Sequence, residues 1–396
     1  MKQTPLAIKN LLDRPTRTAV SAVGIGFAIV LMFMQLGFLG AVGDTATLVY
    51  DRTGCDLIVR SPEYLQVFNP RSVSAVIVPM IASIAEVSDV RTLDLGLSSW
   101  RNPFTGDLRR IAIMGIDPEH PSLRLRELES LGPMLRRAEH VLIDQSSRVD
   151  FGPKNGIAFG PADVGLETEV SKRKIVVAGT FEMGTGLAAN GAILLSHDGF
   201  NRISPERIPL ANSERRVSML LVNLQDGISP ADGKLAIKER LARLDGRSSA
   251  FKVFTIDEAI ADERWHWYIR TPVGVIFGVG VAIAVLVGGV ICYMVLAADV
   301  IARLPEYATL KAIGYPDRYL VKVLLGQAAW LAGLAFAPAI MTSLLLYAIT
   351  SVYSGVDIHM TYSRIALVGT LSLLMCYMAG WIALRKLTQA EPANLF

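Results

Sequence analysis

Five histidines, a few serines and one glycine-rich stretch are the places where this sequence could hold chemistry. His120, His140, His197, His266 and His359 stand far apart in the chain. None lies in an HExxH pattern and none has a cysteine at zinc-ligand spacing, so the sequence assembles no metal set. Ser146 and Ser147 lie close to Asp144, but without a GxSxG elbow they read as turn residues rather than nucleophiles. The nearest approach to a phosphate-binding loop is Gly227-Ile-Ser-Pro-Ala-Asp-Gly233-Lys234-Leu235. It has five residues between its glycines where the Walker loop has four, and leucine where a magnesium-binding hydroxyl is needed. No catalytic residue, cofactor or metal is therefore expected on this chain. Any energy input has to come from another one.

What remains is a stretch with helix signals but no chemistry, LPEYATLKAIGYPDRYL, residues 304–320. Pro305 suits a first helical position, Glu306 favours the positive helix start, and Lys311 lies near the negative end. Gly314 is a terminator, with Pro316 beyond it. Tyr307, Leu310 and Gly314 fall along one stripe, with Ile313 beside Leu310. A short amphipathic helix is expected. It either rests on lipid headgroups as a turn between spans or docks in a groove of a soluble partner, and the residues alone leave both open.

The elements that must position this helix cross a membrane. Of 396 residues 52% are hydrophobic and only 19% charged, below the roughly 25% of a soluble domain. Four windows are free of charge and long enough to span as helices: Ala19 to Gly43, Thr271 to Ala298, Val323 to Val356 and Ile365 to Leu384. The third contains Pro338. It is expected to form one kinked or tilted span, two short re-entrant pieces being the alternative. The first follows Lys2, Lys9, Arg14 and Arg17 as a signal peptide would, but its apolar core is too long for one, so it reads as an uncleaved span.

Orientation follows from lysine and arginine in the short segments. Residues 1–18 carry Lys2, Lys9, Arg14 and Arg17. The 299–322 loop carries Arg303, Lys311, Arg318 and Lys322, and the 385–396 tail carries Arg385 and Lys386. The connection 351–364 offers only Arg364. The expected layout is thus a cytoplasmic segment 1–18, spans at 19–43, 271–298, 323–350 and 365–384, and both termini inside. The large segment 44–270 lies outside, in the periplasm of a cell with two membranes. It holds 28 Lys and Arg against 30 Asp and Glu, so nucleic acid is not an expected partner. Cys55 is alone in it, which rules out a disulfide framework.

The outer segment reads as mixed α/β. CDLIVRS, VRTLDLGLSSW, RRIAIMGID, RRVSMLLVNL and AFKVFTI are strand-like, and PADGKLAIKERLARL is an amphipathic helix. Between two such α/β units, a strand-rich stretch (about 117–215, with HVLID, KIVVAGTF and GAILL) is expected to form an inserted subdomain. IDEAIADERWHWYIRTP is expected to run as a helix into the second span, with Trp265, Trp267 and Tyr268 at the interface. Gly274 and Gly278 form a GxxxG pair of the kind that lets membrane helices approach closely. Gln35 and Gln327 are the strongly polar residues within spans, each expected to make an interhelical hydrogen bond. The lack of a mid-membrane charge argues against ion-coupled transport.

GIGFAIVLMFMQLGFLGA in the first span, DLIVRSP after it, LPEYATLKAIGY in the loop and the tail EPANLF resemble the DevC-type permeases of ABC exporters, within the wider MacB/FtsX/LolC superfamily. HVLIDQSSRVDFGP and GTFEMGTGLAANGAILLS extend the resemblance through the outer domain, and the stretch from Pro118 to Met134 matches more loosely. The resemblance implies an α-helical membrane protein with four transmembrane helices and a large MacB-like α/β periplasmic domain, in the inner membrane. It also implies a homodimer working with two copies of a cytoplasmic ABC ATPase, which carries the ATP and Mg. A periplasmic membrane-fusion protein and a TolC-like outer-membrane channel complete the implied assembly, exporting a lipid-like or other amphiphilic substrate such as a glycolipid. ATPase coupling then falls on Pro305, Glu306, Tyr307, Leu310, Lys311, Ile313 and Gly314. An FtsX-like regulator of cell-wall hydrolases and a LolC-like lipoprotein releaser are the alternatives within the superfamily.

Overall fold

The computed structural model describes residues 15–184, 190–204, 215–242, 251–302, 313, 317–354 and 358–389. In chain order the elements are α1 (Pro15–Asp51), β1 (Leu57–Arg60), β2 (Val73–Ser74), α2 (Ile77–Ala82), β3 (Val87–Arg101), β4 (Leu108–Ile116), α3 (Leu128–Leu131) and β5 (His140–Asp144). Next come β6 (Glu167–Val170), β7 (Arg173–Phe181), β8 (Ala192–Ser196), α4 (His197–Ile203), β9 (Arg216–Val217), β10 (Met219–Leu224), α5 (Pro230–Ala242) and β11 (Lys252–Thr255). The chain ends with α6 (Ile256–Trp265), a π-helical turn (His266–Arg270), α7 (Pro272–Ala302), α8 (Asp317–Ser354) and α9 (Tyr362–Gln389). Two units result: Met1–Ala41 with Pro272–Phe396, and Val42–Thr271.

The first unit is helical. Thr18–Asp51, Pro272–Ala302, Val321–Tyr353 and Tyr362–Ala383 are long and apolar enough to cross a membrane. Their shared core brings Ile29 and Phe33 of α1 against Ala284 and Leu296 of α7, Leu324 and Leu331 of α8, and Met375 of α9. Ile276, Ile283 and Leu286 on α7 are exposed, as residues that face hydrocarbon would be. α8 is continuous through Pro338, and the Thr342 hydroxyl donates to the Pro338 carbonyl at 3.0 Å. Such side-chain bonds help a membrane helix tolerate the donor that proline lacks.

The second unit is built on a nine-stranded sheet of order β11-β1-β10-β3-β4-β8-β5-β7-β6, with β4–β8 and β5–β7 parallel and the remaining neighbours antiparallel. Most strands are buried on both faces, which is why MLLV and AILL read as unbroken apolar runs. Alternation divides their side chains between cores. Ile58, Leu93, Leu95, Met114, Leu194 and Leu221 join one core that extends along the sheet. The opposite face carries two separate cores. One holds Leu57, Val59, Leu220 and Ile237, the other Ile113, Ile143, Ile193 and Phe200.

The strand-rich stretch expected as an insertion at about 117–215 is therefore continuous with the rest of the sheet. The join lies within β3: Val87 to Leu93 pair with β10, and Asp94 to Arg101 pair with β4. The sequence boundary near 117 misses this join because one 15-residue strand serves both halves.

The helix expected to run into the second span is also interrupted. Thr255 opens α6 with a capping box, its hydroxyl accepting from the Glu258 amide at 3.2 Å while Glu258 accepts from the Thr255 amide at 2.9 Å. After the π-helical turn, Thr271 is extended (φ −102°, ψ 148°) and α7 begins at Pro272. A residue before proline is pushed out of the helical region, and proline suits a first helical position.

Candidate functional site

Of the residues expected to couple to an ATPase, Pro305, Glu306, Tyr307, Leu310, Lys311 and Gly314 lie outside the described residues. Ile313 is described: it stands in a turn and is 70% exposed. In the GxxxG pair Gly274 is buried, whereas a Cβ on Gly278 would meet nothing within 4 Å. Close approach between helices within this chain is made elsewhere. A Cβ on Gly280 would stand 2.5 Å from Cδ of Gln35, and one on Gly288 would stand 2.8 Å from Cβ of Ala28. Gln327 is buried and its amide makes no hydrogen bond among the described residues.

The most elaborate polar arrangement lies in the outer unit, at a point the sequence reading passed over. β1 is LIVR, and alternation puts Arg60 on the same face as Ile58, beneath α6. Arg60 is 1% exposed. Its guanidinium lies between the rings of Tyr64 and Phe254, with Cζ 3.9 Å and 4.2 Å from their centroids. Nη1 donates to the Tyr50 hydroxyl at 3.2 Å, and Nη2 donates to the carboxylate of Asp262.

From there the bonds run in one direction. The Tyr50 and Tyr64 hydroxyls are 2.6 Å apart, and Tyr64 donates to Oε2 of Glu263 at 2.7 Å. Each hydroxyl can then accept one bond and donate the next. Oε1 of Glu263 accepts from the Val67 amide and from Nε1 of Trp267, both at 3.1 Å. The network thus fastens together the C-terminal end of α1, the end of β1, the loop after it, α6 and the π-helical turn. A second tie follows from Arg264, which donates to Asp44 at 3.2 Å. Gly43 supplies room beside it, because a Cβ there would collide with the Tyr268 side chain.

Burial pushes the Tyr64 phenol up, so it stays a neutral donor at physiological pH. Burial also holds the Glu263 carboxyl above its usual value, against the bonds from Tyr64, Val67 and Trp267 and the charge of Arg60. The folded chain keeps that proton in a pH window just above the ordinary glutamate value of 4.5, where the unfolded chain has already lost it. In that window the unfolded state binds fewer protons, so stability falls as pH rises, and it levels off once both forms are ionised. Glu263→Gln is expected to make the melting temperature fall less steeply from pH 4.5 towards neutrality. Asp144, also raised by burial, acts alike in both proteins. Equal slopes would remove Glu263 from this account.

A smaller polar cluster pins the sheet where β3 changes partner. His197 Nδ1 lies 2.7 Å from Oδ2 of Asp94 and its Nε2 lies 2.9 Å from the Thr92 hydroxyl, while Oδ1 of Asp94 accepts from the Ser218 amide at 3.2 Å. Asp144 accepts from the amides of Ser146, Met183 and Gly184, and Ser147 accepts from that of Ala192, as turn residues do. Among the described residues no group of three His, Cys, Asp or Glu side chains could hold a metal ion.

Residues 278–392 match the family model described as FtsX-like permease C-terminal. These residues are similar to an FtsX-like permease domain. The match includes the 305–314 stretch. The chain is similar to the periplasmic region of MacB from Actinobacillus actinomycetemcomitans, at 9% identity over 53% of this chain and 93% of that one, with a TM-score of 0.36. It is similar also to the extracellular domain of the noncanonic ABC-type transporter YknZ from Gram-positive bacteria, at 12% identity over 50% and 98%, TM-score 0.33. A domain of a putative permease protein from Porphyromonas gingivalis matches at 17% identity over 52% and 90%, TM-score 0.33. No curated protein matches the chain significantly.

Proposed function

We propose that this permease is the membrane subunit of a DevC-type ABC exporter and works as a mechanical transmitter. A separate cytoplasmic ATPase, in two copies, binds ATP and Mg and moves the Pro305 to Gly314 helix of each protomer in a homodimer. The spans pass that movement to the outer unit, which drives a lipid-like or other amphiphilic substrate towards a membrane-fusion protein and a TolC-like channel. Both termini face the cytoplasm on this reading, which the lysine and arginine distribution supports.

The observation that carries this reading is the Arg60–Glu263 network. A transmitter needs its two chain entries into the outer unit to move as one, and the network ties Tyr50 of the incoming helix to Asp262 and Glu263 of the outgoing one. Buried polar bonds suit that task because they hold in one geometry and are costly to leave half-made.

Affinity purification of the tagged chain from its native membrane, in mild detergent with mass spectrometry, tests the assembly. A small ATPase together with a membrane-fusion protein is the expected result. An ATPase with a cell-wall hydrolase or a lipoprotein carrier would replace export with regulation or lipoprotein release. Recovery without an ATPase, joined to an absence of crosslinks from residues 306–313, would overturn the transmitter reading.

A further inference from the structure

An open cleft of about 630 Å³ lies beside α2 on the face of the outer sheet that carries two separate cores. Its size falls within the roughly 300–1,000 Å³ usual for small-molecule sites. Alternation puts Val90 and Thr92 of β3 side by side in its lining. Val76 and Pro79, both exposed, form an apolar wall with the half-buried Ala75 and Val78. Thr92 is also only half-buried and opens onto the cleft.

Behind Thr92 stand two buried groups, His197 and Asp94, which are 7% and 3% exposed. Oδ2 of Asp94 lies 2.7 Å from Nδ1 of His197, so that nitrogen carries the proton it donates to the carboxylate. In the neutral ring Nε2 then accepts from the Thr92 hydroxyl, 2.9 Å away. Asp94 is fixed in turn, its Oδ1 accepting from the Ser218 amide at 3.2 Å. Gly115 lets α4 approach, since a Cβ there would stand 2.8 Å from Cβ of Phe200 and 3.0 Å from Cβ of Asp94. Arg215 also lines the cleft, with Nη2 3.5 Å from the Thr92 hydroxyl. Hydroxyl, imidazole and carboxylate bonded in this order make an activated nucleophile, which geometry identifies and sequence spacing does not. What separates the set from a structural cluster is that its bonds end at a hydroxyl on an open cleft.

We propose that Thr92 is an acyl-accepting nucleophile and that the cleft takes small esters with an apolar acyl group. Oγ1 of Thr92 attacks the ester carbonyl carbon while its proton passes to Nε2 of His197. Asp94 is a positioning residue, holding the ring in the required tautomer and steadying the imidazolium. Arg215 offsets the charge that develops on the carbonyl oxygen. When the carbonyl re-forms, the bond to the leaving alcohol breaks and His197 returns the proton to it, leaving an acyl ester on Thr92. Water then gives a proton to His197 and attacks that ester, releasing the carboxylic acid and restoring Thr92. The activity goes beyond the export reading and does not depend on it.

The test uses the purified full-length chain and p-nitrophenyl butyrate, with nitrophenolate release followed by absorbance and adducts mapped by mass spectrometry. A butyryl group is expected on Thr92. Thr92→Val should abolish that adduct, and Thr92→Ser should form it faster, because a primary hydroxyl is less hindered. The serine variant keeps the hydrogen-bonded set and so guards against a change that merely unfolds the chain. His197→Gln should slow adduct formation by about a hundredfold or more, the scale of lost base catalysis. Asp94→Asn should slow it by a similar factor yet still reach full labelling, since the nucleophile remains. Butyrylation of surface lysines should be equal in every variant. Adducts on lysines alone in both the wild-type and Thr92→Ser chains, or an unchanged rate in His197→Gln, would overturn the proposal.

Discussion

Arg60→Ala is expected to lower the melting temperature of the outer unit by about 6–12 °C. Removing one member of a buried ion pair typically costs about 3–5 kcal/mol, because its partner is left uncompensated. The lower end applies here, since the side chain of Asp262 is 50% exposed and water can take over part of its solvation. For a unit of this length, Val42–Thr271, about 3 kcal/mol corresponds to the stated shift. Two consequences separate the network from simple loss of packing. Arg60→Lys keeps the charge but not a fork that reaches Tyr50 and Asp262 together, so it should recover only part of the loss. Arg60→Ala combined with Glu263→Gln should be less damaging than the two changes summed, because the second removes the charge that the first leaves buried. The check is thermal unfolding of the purified chain followed by tryptophan fluorescence, Trp267 being a member of the network and Trp100 being fully buried. A shift below about 2 °C for Arg60→Ala would mean that the network does not hold the unit together.

Leu310→Asp should abolish export while leaving the permease in the membrane. On the proposed reading Leu310 is the apolar residue of a docking helix, and a charge there would have to be buried against the ATPase. Losing a central interface contact costs about 2 kcal/mol or more, roughly thirtyfold in affinity. The measurement pairs export from whole cells with ATP hydrolysis by the purified complex and an immunoblot of membrane levels. Export lost at normal membrane level, with hydrolysis no longer responsive to the permease, is the expected pattern. Normal export by the variant would exclude a coupling role for this helix.

What was legible in the sequence is what is local. A span is about 20 apolar residues in a row, so four charge-free windows mark four helices whatever the rest of the chain does. The helices nevertheless run past the windows: α1 continues to Asp51, because helix propensity does not end where hydrophobicity does. Strands such as CDLIVRS and HVLID were readable for the same local reason, each being a short run of apolar or β-branched residues. The break at Thr271 was also present as a signal, in the proline that follows it, but it was outweighed by the helical pattern of IDEAIADERWHW.

The network was not legible, because its meaning depends on distance along the chain. Arg60 and Asp262 are 202 residues apart, and Tyr50 and Glu263 are 213 apart. In the sequence Arg60 is one charge at the end of a strand and Glu263 one carboxylate among several. The continuity of the sheet was hidden likewise, since nothing in VRTLDLGLSSWR states that its first half pairs with β10 and its second with β4. The sequence by itself determined the membrane class, the four spans and the mixed α/β character of the outer segment, all of which follow from hydrophobic period and run length. Only the tertiary structure decided that one sheet serves both halves and that Arg60, Tyr50, Tyr64 and Glu263 meet. Partners brought together by folding are selected by the whole chain, not by their neighbours in it.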